Sequence, residues 1–298
     1  MVSFSLDCAM APSWNESAFY KVPCDGKFQL KQRDPGFHGE ISGKEAAAEL
    51  LQGGVEQLAA LQDVLYADGR WGALVVLQAI DAAGKDSTIK HVMSGVNPQG
   101  VKVHSFKKPS AEEMAHTWLW RYSQRAPARG EIGIFNRSYY EEVLVVKVHN
   151  LAAKQGLPAS VLGPDLYQQR YADINAFEEH LTRNGIAVLK FFLHISSDEQ
   201  CRRFRKRLER PDKNWKFSLT DLEERAHWDA YQQAFEEMLR HTSTKHAPWY
   251  CVPMNKKWFG RLVVTKTIID RLESLGLHYP TLTPAQQQAL EQGKAMLA

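Results

Sequence analysis

From Lys44 to Leu65 apolar residues recur at helical spacing (Ala47, Leu50, Leu51, Val55, Leu58, Leu61 and Leu65), which predicts an amphipathic helix. The period then changes. Ala73 to Ile80 is a short apolar run broken only by Gln78, the pattern of a strand buried on both faces. A helix is expected from Lys85 and a strand at Val101 to Phe106. Further strands are expected at Glu131 to Phe135, Ile186 to His194 and Trp249 to Val252, the last followed by a helix from Lys257 to Leu275. Ser110 with Glu113, Ser138 with Glu141, Ser196 with Glu199, and Thr220 with Glu223 fit the S/T-x-x-E capping box and mark helix starts. Thr283 to Gln286 opens a final short helix. Strands alternating with helices predict an α/β protein, with a mostly parallel five-stranded sheet and helices on both faces.

Residues 1–43, with Pro12, Pro23 and Pro35, are expected to form an irregular leader packed on the surface. Residues 44–280 are expected to form a single domain and 281–298 a C-terminal tail. The opening stretch MVSFSLDCAM lacks the basic start and long apolar core of a signal peptide. No apolar run approaches the roughly 20 residues of a membrane span. The four cysteines are scattered without a C-x-x-C pair, which argues against a zinc site or a disulfide framework. A cytoplasmic enzyme is the expectation. The net charge is only +3, but Gln200 to Lys216 holds eight Lys/Arg against two Asp/Glu. Such a patch on a near-neutral chain suits one polyanion rather than nucleic acid in general.

The stretch VVLQAIDAAGKDSTIKH, Val75 to His91, runs from a strand through a small-residue loop into a helix. It approximates the phosphate-binding pattern G-x-x-x-x-G-K-[ST], with Ala79 in place of the first Gly and Asp86 in place of the hydroxyl residue. A strand–loop–helix turn presents backbone N–H groups and a helix N-terminus to an anion. Ala82, Ala83 and Gly84 leave room for phosphate, and Lys85 supplies an ammonium. Ser87 comes one residue late for the usual metal-binding hydroxyl, so Asp81 is the expected metal ligand.

EIGIFNRSYYEE places a second strand end at Asn136-Arg137-Ser138. The Arg137 fork suits phosphate oxygens. Asn136 stands where an acid is expected, and Glu141 and Glu142, one turn on, are candidate compensating metal ligands. Helix Ala111 to Arg125 carries Trp118, Trp120, Arg121 and Arg125, suited to stacking a base and gripping a phosphate. Gln200 to Tyr231 reads as a helical lid. Arg203 and Arg207 share a helix face, Pro211 interrupts the pattern, and Thr220 begins a returning helix with Arg225 turned inward.

Together these residues resemble the family-2 polyphosphate kinases, over about 25–280. The segments that carry the resemblance are LQAIDAAGKDSTIKH, GVNPQGVKVHSF, WRYSQRAP, EIGIFNRSYYEEVLVVKVH, LKFFLHISSDEQ, RPDKNWKFSLTDLEERAHWDAY and APWYCVPMNKKW. The resemblance implies a P-loop kinase-like three-layer sandwich that moves phosphoryl groups between inorganic polyphosphate and nucleotides with Mg2+, or Mn2+ in its place. It implies ATP regeneration as a use and a homo-oligomer, dimer or tetramer. It assigns polyphosphate to the loop Ala82–Ser87, with Asp86 inside it, and to Arg203, Arg207, Lys213, Lys216 and Arg225. Asp81, Lys85 and Arg137 become the catalytic set, and Trp120, Arg121, Asn136, Arg137 and Glu141 the nucleotide set. Much of the family ends this strand in Phe-Asp-Arg-Ser. The Asn136 departure resembles the subgroup that phosphorylates both nucleoside mono- and diphosphates. Two other readings remain open: an ATP-dependent nucleoside monophosphate kinase of the thymidylate kinase type, and a non-enzymatic polyanion-binding protein.

Overall fold

The computed structural model describes residues 14–298; the opening stretch that bears on a signal peptide lies outside the described residues. Five parallel strands, β1 (Gly72–Gln78), β2 (Val101–Ser105), β3 (Ile132–Asn136), β4 (Ile186–His194) and β5 (Trp249–Pro253), form one sheet in the order β2-β3-β1-β4-β5. The chain starts in the middle of the sheet, so β1 and β3 become neighbours and their C-terminal ends sit side by side. Leu77 pairs with Asn136 at that end. Ligands of open α/β sheets bind at such an edge.

The described helices are α1 (Ser17–Tyr20), α2 (Lys44–Asp68), α3 (Lys85–Val92), α4 (Ala111–Ala115), α5 (Trp120–Ser123) and α6 (Val145–Val148). They continue with α7 (Leu166–Arg183), α8 (Ser197–Glu209), α9 (Leu219–Arg225), α10 (Trp228–Thr242), α11 (Lys257–Glu273) and α12 (Pro284–Leu297). Alternate strand residues point to opposite faces. Ala73, Val75 and Leu77 meet Leu58 and Leu65 of α2 and Val263 and Ile268 of α11 on one side. Leu74 and Val76 meet Tyr171 and Ile174 of α7 and Phe235 and Met238 of α10 on the other. Both faces of β1 are therefore dry, and each fully buried Leu or Val stabilises the sandwich by roughly 1.5–3 kcal/mol.

One charged pair lies inside that second layer. Lys190 on β4 and Glu178 on α7 are both fully buried, with Nζ 2.6 Å from Oε2. Glu178 Oε1 also accepts from the hydroxyls of Tyr139 and Tyr140, each at 2.8 Å. These bonds tie the segment after β3 to the sheet.

Several expectations need correction. Ser110 and Glu113 do form a full capping box. Ser138 instead accepts the Tyr140 N–H and opens a 3-10 turn over Tyr139–Val143, which leaves the Glu141 carboxylate free of capping duty. Ser196 accepts the Glu199 N–H, but the Glu199 carboxylate turns to Arg202 and Arg203. The last lid helix is capped by Ser218 rather than Thr220. The helix expected over Ala111 to Arg125 is two short ones, because the chain turns extended at His116. Helix α7 was not anticipated. Among the described residues no helix is long and apolar enough to cross a membrane.

Candidate active site

At the end of β1 the chain leaves the sheet through Ala79–Gly84 and enters α3. Ala82 has φ 64° and Gly84 φ 111°, so two residues of this short loop take left-handed backbone. For Ala82 that conformation costs on the order of 1–3 kcal/mol and persists only where its surroundings enforce it. The enforcing group is Arg203 of α8, a side chain only 7% exposed. Its Nη1 donates to the carbonyls of Ala82, at 3.0 Å, and Ala83. Nη2 donates to the carbonyl of Met254, and Nε donates to Glu199 at 2.7 Å. Gln200, three residues earlier, donates to the Asp81 carbonyl at 3.0 Å.

Asp81, Lys85, Arg137 and Glu141 converge on this loop. Arg137 follows β3 and also takes left-handed backbone, φ 64°, which aims its guanidinium back across the end of β1. Its Nη2 lies 3.1 Å from Asp81 Oδ1. Burial works against the Arg137 charge, but Glu141 and Asp81 outweigh it and hold its pKa above the usual value. Lys85 Nζ folds back to the Ala79 carbonyl at 2.8 Å, and burial lowers its pKa against the pull of Asp81. Burial raises the Glu141 carboxyl, opposed by Arg137 and Lys85. Two cations and two carboxylates thus share one partly dry site, where charge on a transferring group is strongly felt.

The two departures from the expected pattern turn out to be partners. Asn136 Nδ2 donates to Asp86 Oδ1 at 2.8 Å, and also to Ser105 Oγ at 3.4 Å. The Asp86 carboxylate, negative like a phosphate, faces Asn136. Ser87 Oγ donates to the Gly84 carbonyl at 2.9 Å and so braces the loop.

Other expected site residues are placed elsewhere. Glu142 is buried, its Oε2 3.0 Å from Arg170 Nη1 and bonded to Gln155, and it leaves the metal set. Adjacent residues of the 3-10 turn point in different directions, so only Glu141 faces the loop. Arg121 is also buried; it donates to the Lys107 carbonyl at 2.9 Å, pairs with Glu113 and lies over the rings of Phe106 and Tyr122. It lines a cavity with Glu142, not the pocket that holds Asp81, Arg137 and Glu141. Trp120 stacks on His116 at 4.0 Å between ring centroids, so one ring face is already covered. Arg203, expected on polyphosphate, spends its donors on the loop. Arg207 pairs with Asp221 at 2.9 Å, joining α8 to α9. Arg225 donates to the Ser197 carbonyl and to Gln200 Oε1, closing the hairpin above the loop. Lys213 lines an open groove beside the loop; the side chain of Lys216 lies outside the described residues. Gln200, Glu224 and Tyr231 line the Asp81 pocket without having been expected there. All three lie within the Gln200 to Tyr231 lid segment, the one signal in the sequence that points to them.

Among the described residues no three His, Cys, Asp or Glu are grouped to enclose a metal. Asp81 and Glu141 nevertheless face one pocket as a pair of hard oxygen donors. Mg2+ is commonly held by one or two carboxylates, with substrate phosphates and water completing its shell. The donor set fits that ion.

A strained small-residue loop at a helix N-terminus, a lysine within it, and an arginine and carboxylates on the neighbouring strand ends define a P-loop phosphotransferase. Comparisons with known proteins narrow the class. The polyphosphate kinase 2 (PPK2) family model matches residues 40–278. An ADP-polyphosphate phosphotransferase of Rhodopseudomonas palustris is 49% identical over 85% of this chain and 89% of its own. An AMP/ADP-polyphosphate phosphotransferase of Meiothermus ruber is 47% identical over 90% of this chain and 97% of its own. The crystal structure of polyphosphate kinase 2 from Arthrobacter aurescens TC1 superposes with a TM-score of 0.85 at 38% identity, covering 95% of this chain and 98% of that one. The chain belongs to the polyphosphate kinase 2 family.

Proposed function

We propose that the protein transfers phosphoryl groups from inorganic polyphosphate to nucleoside mono- and diphosphates, carrying AMP to ADP and ADP to ATP. The observation that carries this reading is the convergence of Lys85, Arg137 and Asp81 on a left-handed loop beneath a basic hairpin. The names of the two relatives support the acceptor classes. The thymidylate kinase alternative is not favoured, since the matched relatives are named for polyphosphate.

A terminal phosphate oxygen of the nucleotide attacks the end phosphorus of the polyphosphate chain. The P–O–P bridge behind that phosphorus breaks, and the bridging oxygen stays with the chain, now one unit shorter. The nucleophile is already ionised, so no general base is needed. The backbone N–H groups of Ala82–Lys85 hold the donor end. Lys85 leaves the Ala79 carbonyl, and Arg137 loosens from Asp81, to neutralise charge on the group in flight. The hairpin excludes water, which limits hydrolysis. Mg2+, or Mn2+ in its place, would be held by Asp81 and Glu141 and would supply further charge neutralisation. Asn136 is proposed to influence the choice between mono- and diphosphate acceptors.

We further propose a cytoplasmic homo-oligomer. The free thiols of Cys24, Cys201 and Cys251 support a reducing compartment, and exposed Leu290, Met296 and Leu297 on α12 support self-association. Light scattering tests the assembly. The enzymatic reading is tested with long-chain polyphosphate, Mg2+ and either AMP or ADP, without ATP. Formation of ADP and ATP is expected. Turnover of AMP only when ATP is added would refute it.

A further inference from the structure

A separate cavity of about 470 Å³ lies at the ends of β4 and β5. It shares no lining residue with the pocket around Asp81 or with the groove that holds Lys213. Its volume falls within the usual range of small-molecule sites. His194 at the end of β4, with Cys251 and Pro253 of β5, lines one side, and residues 19–37 line the other. Phe19, Phe28 and Phe37 make much of that second wall aromatic. The Arg33 guanidinium lies 5.5 Å from the Phe19 ring centroid and 5.7 Å from that of Phe28, so these rings already receive one flat polar group. Two polar side chains of the lining are unsatisfied. His194 is 7% exposed and Tyr20 1%, and neither His194 Nδ1 nor the Tyr20 hydroxyl has a hydrogen-bond partner among the described residues. Buried polar atoms of this kind are rare and call for a partner that the chain does not supply. Burial keeps the His194 imidazole neutral at pH 7, so one ring nitrogen donates and the other accepts. The charges at the mouth are mostly committed. Arg33 donates to the carbonyls of Phe19, at 2.8 Å, and Lys21, at 3.3 Å. Asp25 accepts the Lys27 N–H at 2.9 Å, and Asp34 accepts the Gly36 N–H at 2.7 Å. The Lys27 ammonium has no hydrogen bond or ion pair among the described residues.

We propose that this cavity is a second nucleotide site, separate from the active site: a planar base packs on the Phe19, Phe28 and Phe37 wall, its polar edge meets His194 and Tyr20, and its phosphate meets Lys27. A purely apolar ligand would leave the two buried polar atoms unpaired, and a simple anion would leave the rings unused. A flat heterocycle with hydrogen-bonding edges and an attached phosphate uses all three features. The inference goes beyond the reaction proposed above and does not require polyphosphate as donor. The site also adjoins the support of the phosphate loop. The His194 carbonyl accepts the Met254 N–H at 2.8 Å, and the Met254 carbonyl accepts from Arg203, which holds Ala82 and Ala83. Asn255 donates its N–H to the Pro35 carbonyl at 2.9 Å, which joins the segment that walls the cavity to the same strand end. A nucleotide held between residues 19–37 and the ends of β4 and β5 should therefore slow hydrogen exchange in that segment.

The test counts AMP bound per chain by equilibrium dialysis and maps the site by photolabelling with azido-AMP, using the whole chain as wild type, Lys27→Glu and His194→Phe. The wild type is expected to bind two AMP per chain and to take label within residues 19–37, with excess AMP preventing the labelling. Lys27→Glu and His194→Phe should each weaken the second site by about tenfold or more, the scale of one lost hydrogen bond to charge or to a buried group. Both should keep kcat/KM for AMP within about twofold of wild type, because neither residue lines the Asp81 pocket. Adenosine, which lacks the phosphate, should lose affinity in His194→Phe but not in Lys27→Glu. Lys27 is exposed, so Lys27→Glu decides the matter even where His194→Phe folds poorly. One AMP per chain in the wild type, label confined to residues outside 19–37, or a second site indifferent to Lys27→Glu would overturn the assignment. A wild type that binds two AMP yet makes no ATP from polyphosphate would refute the reaction proposed above and leave this site standing.

Discussion

Arg203 separates two accounts of the basic hairpin. Its place in a run of lysines and arginines suggests a ligand for polyphosphate; its bonds make it a brace for the loop. Removing it leaves the carbonyls of Ala82 and Ala83 and that of Met254 without their donor in a buried position. It also strands Glu199, whose carboxylate then keeps only Arg202. Breaking a buried charged pair from one side costs about 3–5 kcal/mol. For a domain of this size Arg203→Ala should therefore lower the melting temperature by about 10 °C. The left-handed Ala82 would lose what holds it, so kcat/KM should fall alike with AMP and with ADP as acceptor. Lys at this position cannot reproduce the planar fork and should recover only part of the stability. Urea melts of the three proteins, with donor and acceptor kinetics on each, decide the matter. An Arg203→Ala protein within about 1 kcal/mol of wild type, impaired only in donor KM and with a shallower salt dependence, would refute the brace and return Arg203 to polyphosphate.

Three other outcomes are expected. Asp81→Asn should lower kcat by about 100-fold or more, the scale of losing one preorganised charge contact, with little change in stability because Asp81 is 31% exposed; wild-type turnover would remove Asp81 from the site. Asn136→Asp would set two carboxylates 2.8 Å apart at Asp86. They cannot both ionise without a cation between them, so the AMP-to-ADP rate ratio should change and become pH-dependent. An unchanged ratio would remove Asn136 from acceptor choice. Burial pushes His194 down to about 4, whereas the unfolded chain titrates near 6.5. The unfolded state thus binds the proton first, and stability present above pH 6.5 is lost as pH falls to about 4, by roughly 3 kcal/mol. Urea melts at pH 7 and pH 4.5 should show that loss shrinking in His194→Phe; an identical acid loss in both proteins would assign it to other groups.

The sheet was readable because strands buried on both faces appear as apolar runs; β4 matches its expected span, and the others shift by only a residue or two. Helix α7 is hard to read from the sequence although Tyr171, Ile174 and Leu181 lie at helical spacing. Its many Gln, Asp and Glu residues and the irregular turns before it hid the period. Lys85, Asp81 and Arg137 could be found because strand ends and a Gly-Lys pair are local features. The roles of Glu142 and Arg203 could not, since they depend on Arg170 and on loop carbonyls far along the chain. The pairing of Asn136 with Asp86 shows the reverse case, two irregular residues whose oddness is explained only by each other.

The most direct measurement is a structure of the protein with ADP and a polyphosphate made resistant to transfer by methylene bridges. Lys85 is expected to have left the Ala79 carbonyl for the end phosphate, Arg137 to have turned from Asp81 toward it, and Arg203 to remain on Ala82 and Ala83. A chain bound away from the loop, with Lys85 still on Ala79, would contradict the donor site described here.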